Sequence, residues 1–103
     1  MIKDSRLIPA LIAFPETEAR QEAWGRLLEI SPVNARLLTR ATLTRQTQIF
    51  LGFDVADEPF KAVPARVAYV ETDADGYSVA ELDFTDEPVK RRLAKLLLEL
   101  GAA

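Results

Sequence analysis

Residues 48–84 of the chain, QIFLGFDVADEPFKAVPARVAYVETDADGYSVAELDF, carry the pattern that decides the fold. In Gln48–Val55, apolar side chains fall at every second position, as they do in a β-strand with one buried face. A second run, Phe60–Glu71, follows after a short polar connection, which predicts a hairpin. The turn residues 73–76 then lead into Tyr77–Phe84. The stretch therefore predicts three consecutive antiparallel strands.

The alternation assigns inner faces to the second and third of these strands. The second would bury its odd-numbered apolar residues, Val63, Ala65, Val67 and Tyr69. In the third, Tyr77 and Val79 share one parity, whereas Leu82 and Phe84 share the other. A β-bulge near residues 80–81 would bring all four to the inner face. Alternatively, the four side chains serve two different faces of the sheet.

The segments on either side of this stretch complete the architecture. Three earlier segments, Leu7–Phe14, Ala23–Ser31 and Asn34–Thr39, are predicted to be strands. From Pro88 to Leu100, apolar residues recur at helical spacing, which predicts a C-terminal amphipathic helix. Six short antiparallel strands followed by one helix indicate a mainly β fold, a small six-stranded barrel with the helix against it. We expect one domain over residues 1–103, with strands at about 7–84 and the helix at about 87–100.

Composition excludes several kinds of chemistry. The chain has no histidine and no cysteine, so it contains no zinc finger, no Ser-His-Asp or Cys-His apparatus and no thiol redox centre. No nucleophile and base can be paired from the remaining residues, so we expect neither an enzyme nor a metal site. No segment approaches the roughly 20 apolar residues that span a bilayer. We therefore expect a cytoplasmic protein without membrane insertion.

The net charge of −3 conceals an uneven distribution. Residues 46–87 hold ten acidic side chains against two cations, Lys61 and Arg66. Nucleic-acid binding depends on a basic surface that neutralises phosphates, so we expect no DNA or RNA partner. The alternative is a small barrel that stacks single-stranded bases on Trp24 and Phe50, and this acidic segment argues against it.

Residues 25–37 contain a strand, a tight turn and a second strand. Within them, Glu29-Ile30-Ser31-Pro32-Val33-Asn34 resembles the D/N-x-S-x-x-G turn of the PilZ family, bacterial receptors for cyclic diguanylate. Near the end of the predicted barrel, Glu81-Leu82-Asp83-Phe84 is similar to the aliphatic-x-Phe pattern of the family's late strand. The resemblance extends over roughly residues 5–100 and implies the family's six-stranded barrel with a C-terminal helix.

The resemblance also implies a candidate nucleotide site, formed by Arg6, Arg26, Glu29, Ser31, Asn34 and Arg36. Three departures from the family pattern affect it. The family's R-x-x-x-R motif is reduced to Arg6, because the positions four residues away are Ile2 and Ala10. Asn34 stands where the turn motif has glycine, and the late strand's usual glycine is replaced by Glu81, or by Ala80 if a β-bulge shifts the register. A single guanidinium cannot replace the two that grip phosphates, and an added carboxylate would repel a dianionic dinucleotide.

Two functions follow from this resemblance. The first is a non-enzymatic bacterial regulatory or adaptor module that acts by protein–protein interaction in cyclic diguanylate-linked signalling or motility, with weak or no nucleotide binding. Its candidate contact surfaces are Trp24, Phe50 and the outer side of the helix. The second is a cyclic diguanylate receptor with a rearranged site. The departures favour the first function, so we expect a protein partner and no cofactor, with cyclic diguanylate as the one candidate ligand.

Overall fold

Six strands and one helix follow one another along the chain in a computed structural model that describes residues 2–15 and 22–101, with the backbone alone for residues 2–7. The elements are β1 (Ile2–Ala13), β2 (Ala23–Ile30), β3 (Asn34–Thr39), β4 (Gln48–Val55), β5 (Glu58–Thr72), β6 (Ser78–Phe84) and α1 (Glu87–Glu99). This succession confirms the predicted mainly β fold with one C-terminal helix.

The strands form a closed antiparallel barrel in the order β1-β2-β3-β6-β5-β4, with β4 returning to β1. The chain does not follow this order, because β6 lies between β3 and β5. Arg36 of β3 therefore has Glu29 of β2 on one side and Glu81 of β6 on the other. This arrangement places the predicted turn motif beside the acidic residues of the late strand.

Alternate side chains of every strand fill the barrel interior. The largest fully buried ones are aliphatic except for Phe60. At one end of the interior, Phe53 stacks on Phe60 and on Phe84, with ring centroids 5.3 and 6.3 Å apart. These aromatic contacts give that end of the barrel a core that the helix can cover.

Helix α1 packs against the barrel through its apolar stripe. Leu93 and Leu97 are buried. The helix begins at an Asp86 cap, whose carboxylate accepts the Val89 backbone N–H at 3.2 Å. Among the residues that the structure describes, no helix is both long and apolar enough to cross a membrane.

The prediction of a β-bulge near residues 80–81 is wrong, and the alternative of two faces is correct. Strand β6 alternates without interruption and buries its even-numbered residues, Ser78, Ala80, Leu82 and Phe84. Tyr77 and Val79 therefore belong to the outer side. Small residues at 78 and 80 fill the inner positions, and the Ser78 hydroxyl shares a hydrogen bond with Thr72 at 2.9 Å.

The extra residue lies instead in β5. Val67 pairs with Leu82 but Tyr69 pairs with Glu81, so Ala68 is a bulge. The inner positions predicted for residues 63, 65 and 67 are observed, whereas Tyr69 is turned outward and is 41% exposed. The bulge thus moves an aromatic ring from the expected core to the outer surface beside Glu81.

Candidate functional site

The turn between β2 and β3 is built around the Ser31 hydroxyl. Ser31 Oγ donates to Asn34 Oδ1 at 2.7 Å and accepts the backbone N–H groups of Val33 and Asn34 at 3.3 and 3.1 Å. The backbone N–H of Ser31 also donates to the Asn34 carbonyl at 2.9 Å. The Val33 carbonyl accepts from Phe84 of β6 at 3.0 Å, which fixes the turn to the barrel. Two predicted site residues, Ser31 and Asn34, therefore bond to each other.

We expect the Ser31→Ala substitution to lower the free energy of unfolding by about 1–3 kcal/mol. It removes the acceptor of two part-buried hydrogen bonds, those from the backbone N–H groups of Val33 and Asn34. Urea denaturation measures the change, with Thr44→Ala as the control, since Thr44 is an exposed threonine in another loop. Equal stability losses in both variants would contradict a structural role for the Ser31 hydroxyl.

Glu29 and Arg36 form an ion pair across β2 and β3. Arg36 Nη1 donates to Glu29 Oε1 at 2.8 Å, and the two residues are direct cross-strand neighbours. Glu81 is the neighbour of Arg36 on the opposite side, in β6. One guanidinium is thus flanked by carboxylates from both adjacent strands, so its charge is already balanced within the protein.

The outer surface beside this pair contains a cleft of about 570 Å³, here called the acidic cleft. Its lining includes four carboxylates, one guanidinium and two tyrosines: Glu29, Glu71, Asp73, Glu81, Arg36, Tyr69 and Tyr77. A phosphate oxygen about 4 Å from a carboxylate is repelled by about 1 kcal/mol in water and by more where water is excluded. Among the described residues, no three carboxylates are grouped so as to hold a metal ion. The charge of the cleft suits a cationic group better than an anionic one.

Tyr69 and Asp73 of the cleft already have partners within the protein. The Tyr69 hydroxyl donates to Glu71 at 2.9 Å, and this bond, with the charge of the carboxylate, raises the pKa of the phenol. The Arg45 guanidinium lies 5.5 Å from the centroid of the same ring. The Asp73 carboxylate accepts the backbone N–H groups of Asp75 and Tyr77, at 2.8 and 3.0 Å, in an Asx turn.

The remaining predicted site residues are not gathered at this cleft. Arg26 is opposite Pro9 on one side and Leu38 on the other, and with Trp24 it lines an adjoining groove that shares Tyr77 with the acidic cleft. The Arg6 backbone belongs to β1, and its side chain lies outside those that the structure describes. The structure thus brings Glu29, Asn34 and Arg36 along one outer hollow and places Arg26 elsewhere.

Sequence reasoning missed the tyrosines and Arg40. Tyr69 faces outward because of the bulge at Ala68, for which the sequence offers no clear signal. Arg40 lies over the Tyr77 ring, 4.4 Å from its centroid, because β6 is inserted beside β3. The contact with Tyr77 and, to a smaller extent, the charge of the Asp73 carboxylate raise the pKa of Arg40. Adjacency of strands distant in sequence created this contact.

Comparison with known proteins gives a fold match. No protein-family model matches the chain, and no curated protein matches it in sequence. The structure of YcgR from Escherichia coli in complex with c-di-GMP superimposes with a TM-score of 0.74 at 13% identity, covering 98% of this chain and 44% of YcgR. The YcgR PilZ domain with c-di-GMP, also from Escherichia coli, gives a TM-score of 0.71 at 10% identity, covering 97% of this chain and 86% of that one. This chain spans less than half the length of the longer YcgR chain.

The agreement extends over nearly the whole chain and includes the closed barrel and its helix. It confirms the fold that the turn motif and the order of elements implied. The protein therefore has the fold of a PilZ domain.

Proposed function

We propose that residues 1–103 act as one PilZ-type regulatory module that works through protein–protein contact and binds cyclic diguanylate weakly or not at all. The observation that carries this proposal is the acidic cleft beside the 29–34 turn. There, Arg36 forms an ion pair with Glu29, and Glu81 lies opposite Arg36 in the neighbouring strand β6. A dianionic dinucleotide placed on this surface would meet carboxylates and no free guanidinium from the described lining.

The turn itself supports the same conclusion. The Ser31 hydroxyl donates to Asn34 and accepts hydrogen bonds from two backbone N–H groups. Its hydrogen-bonding capacity is therefore used within the turn and is not available to a ligand. Pro32 contributes no N–H, which removes a further donor from the loop. A ligand would have to compete with bonds that already hold β2 to β3.

A receptor with a rearranged site is the second candidate function. The observation in its favour is that both fold neighbours are c-di-GMP complexes. In such a receptor, Arg6 and Arg26 would have to bind the phosphates of the nucleotide, because Arg36 is already paired with Glu29. The proposal as a whole describes a bacterial, cytoplasmic module without enzymatic activity and without DNA or RNA binding, and it is supported by the composition and by the acidic surface.

Isothermal titration calorimetry of the full chain with cyclic diguanylate tests the proposal, because it measures the Kd directly. We expect no binding with a Kd below about 1 mM, which corresponds to a standard free energy no more favourable than about −4 kcal/mol. Micromolar or tighter binding that is lost in Arg6→Ala would overturn the proposal in favour of the receptor. Lys3→Ala is the matched control, because it removes a cation from the same strand without removing a planar guanidinium.

A further inference from the structure

The barrel carries a second outer groove, which adjoins the acidic cleft and shares Asp73 and Tyr77 with it. We call it the Trp24 groove; its cavity measures about 730 Å³, and its lining includes Pro9, Trp24, Arg26, Leu38, Arg40 and Tyr77. It crosses β1, β2 and β3, where Arg26 is opposite Pro9 and Leu38. The groove thus rests on paired strands, which hold its walls in place without a bound ligand.

Trp24 is the most prominent side chain of this groove. The residue is 67% exposed and lies near the start of β2, at one end of the barrel wall. The Trp24 carbonyl accepts a hydrogen bond from the hydroxyl of buried Thr39 at 2.9 Å, which anchors the backbone below the ring. A tryptophan side chain has only two rotatable bonds, so it loses little conformational entropy when a partner covers it.

The two arginines of the groove, Arg26 and Arg40, form no close ion pair with a carboxylate of the described residues. The Arg40 guanidinium lies over the Tyr77 ring. The nearby Asp73 carboxylate is engaged by two backbone N–H groups of its turn. Asp73 itself lines the groove, so in a chain with a net charge of −3 the groove presents two guanidinium groups and one carboxylate beside an apolar floor.

We propose that the Trp24 groove docks an acidic segment of a partner protein, with one apolar side chain packed on Trp24 and Leu38 and adjacent carboxylates paired with Arg26 and Arg40. This inference rests on the proposed function, because it names the surface through which the module makes protein contact. Tryptophan, tyrosine and arginine dominate the binding energy of protein interfaces, and the groove combines all three. Arginine forks bind carboxylates through paired hydrogen bonds.

Selection of a random phage-displayed peptide library on the full chain tests this inference. We expect enrichment of peptides in which aspartate or glutamate flanks an apolar residue. Their binding should shift and quench the fluorescence of Trp24, the chain's single tryptophan. Trp24→Ala should weaken peptide binding about 30-fold or more, measured by anisotropy of labelled peptide. The double variant Arg26→Glu with Arg40→Glu should abolish it.

The matched control is Arg91→Glu, which makes the same charge change on an exposed residue of α1. It should leave peptide affinity unchanged, and circular dichroism checks that every variant keeps the fold. Failure to enrich peptides, enrichment of basic peptides or equal binding to Trp24→Ala would overturn the inference. Quenching of Trp24 by oligothymidine, lost in the double variant, would overturn it in favour of a nucleic-acid groove. The nucleotide titration is independent: tight cyclic diguanylate binding contradicts the proposed function whatever the peptide result.

Discussion

The Phe60→Ala substitution is expected to lower the free energy of unfolding by about 3–5 kcal/mol. Phe60 is 1% exposed, and its ring stacks on Phe53 with the centroids 5.3 Å apart. The Arg92 guanidinium covers the ring from the helix, 4.3 Å from the centroid, while it also contacts Glu58 at 3.0 Å. Removing the ring leaves a cavity between barrel and helix that neither side can fill.

Chemical denaturation at equilibrium measures this loss, and Phe50→Ala supplies the control. Phe50 is also a strand phenylalanine, but it is only partly buried and points to the outer side, so we expect a cost of about 1 kcal/mol. A small domain has a total stability of about 5–15 kcal/mol, so Phe60→Ala removes a large share of it. Similar losses in the two variants would contradict the assignment of Phe60 to the central core.

Two adjacent leucines of α1 provide the second large effect. Leu97 is 3% exposed against the barrel, whereas Leu98 is 71% exposed. Leu97→Ala should destabilise the protein by about 2–5 kcal/mol, while Leu98→Ala should cost about 0.5 kcal/mol or less. The two variants change helix propensity equally, so their difference in urea denaturation isolates the packing of the helix on the barrel. Equal and small effects would show that α1 does not stabilise the barrel.

Regular alternation and helical spacing were sufficient to predict most of the fold. Ile49, Leu51, Phe53 and Val55 are buried as their period indicated. In α1, Leu93 and Leu97 of the predicted stripe are buried, whereas Leu100 lies at the end of the helix and is 45% exposed. These predictions succeed because side-chain direction in a strand or helix depends on local geometry. Tyr69 was misplaced, since a single extra residue in β5 reverses the parity and is not visible in composition.

The candidate site was harder to predict because its chemistry depends on which strands are neighbours. The Glu29 and Arg36 pair crosses one hairpin, so their proximity was accessible from the sequence. Leu28 is an extra residue in β2, and this shift in register puts Arg26 on the same outer face as Glu29, opposite Leu38 and Arg36 respectively, which regular alternation does not predict. The contact of Arg40 with Tyr77 arises from the insertion of β6 beside β3, which no local pattern encodes.

The bulge at Ala68 gives β5 a residue that its pairing with β6 does not require. Loss of one residue from a barrel strand normally turns every later side chain to the opposite face. Here, however, Val67 already pairs with Leu82 and Tyr69 with Glu81, and these two partners are consecutive in β6. Without Ala68, Val67 and Tyr69 would therefore be consecutive in β5 and would keep the same partners. The chain can therefore shorten by one residue here while the core and the acidic cleft keep their side chains.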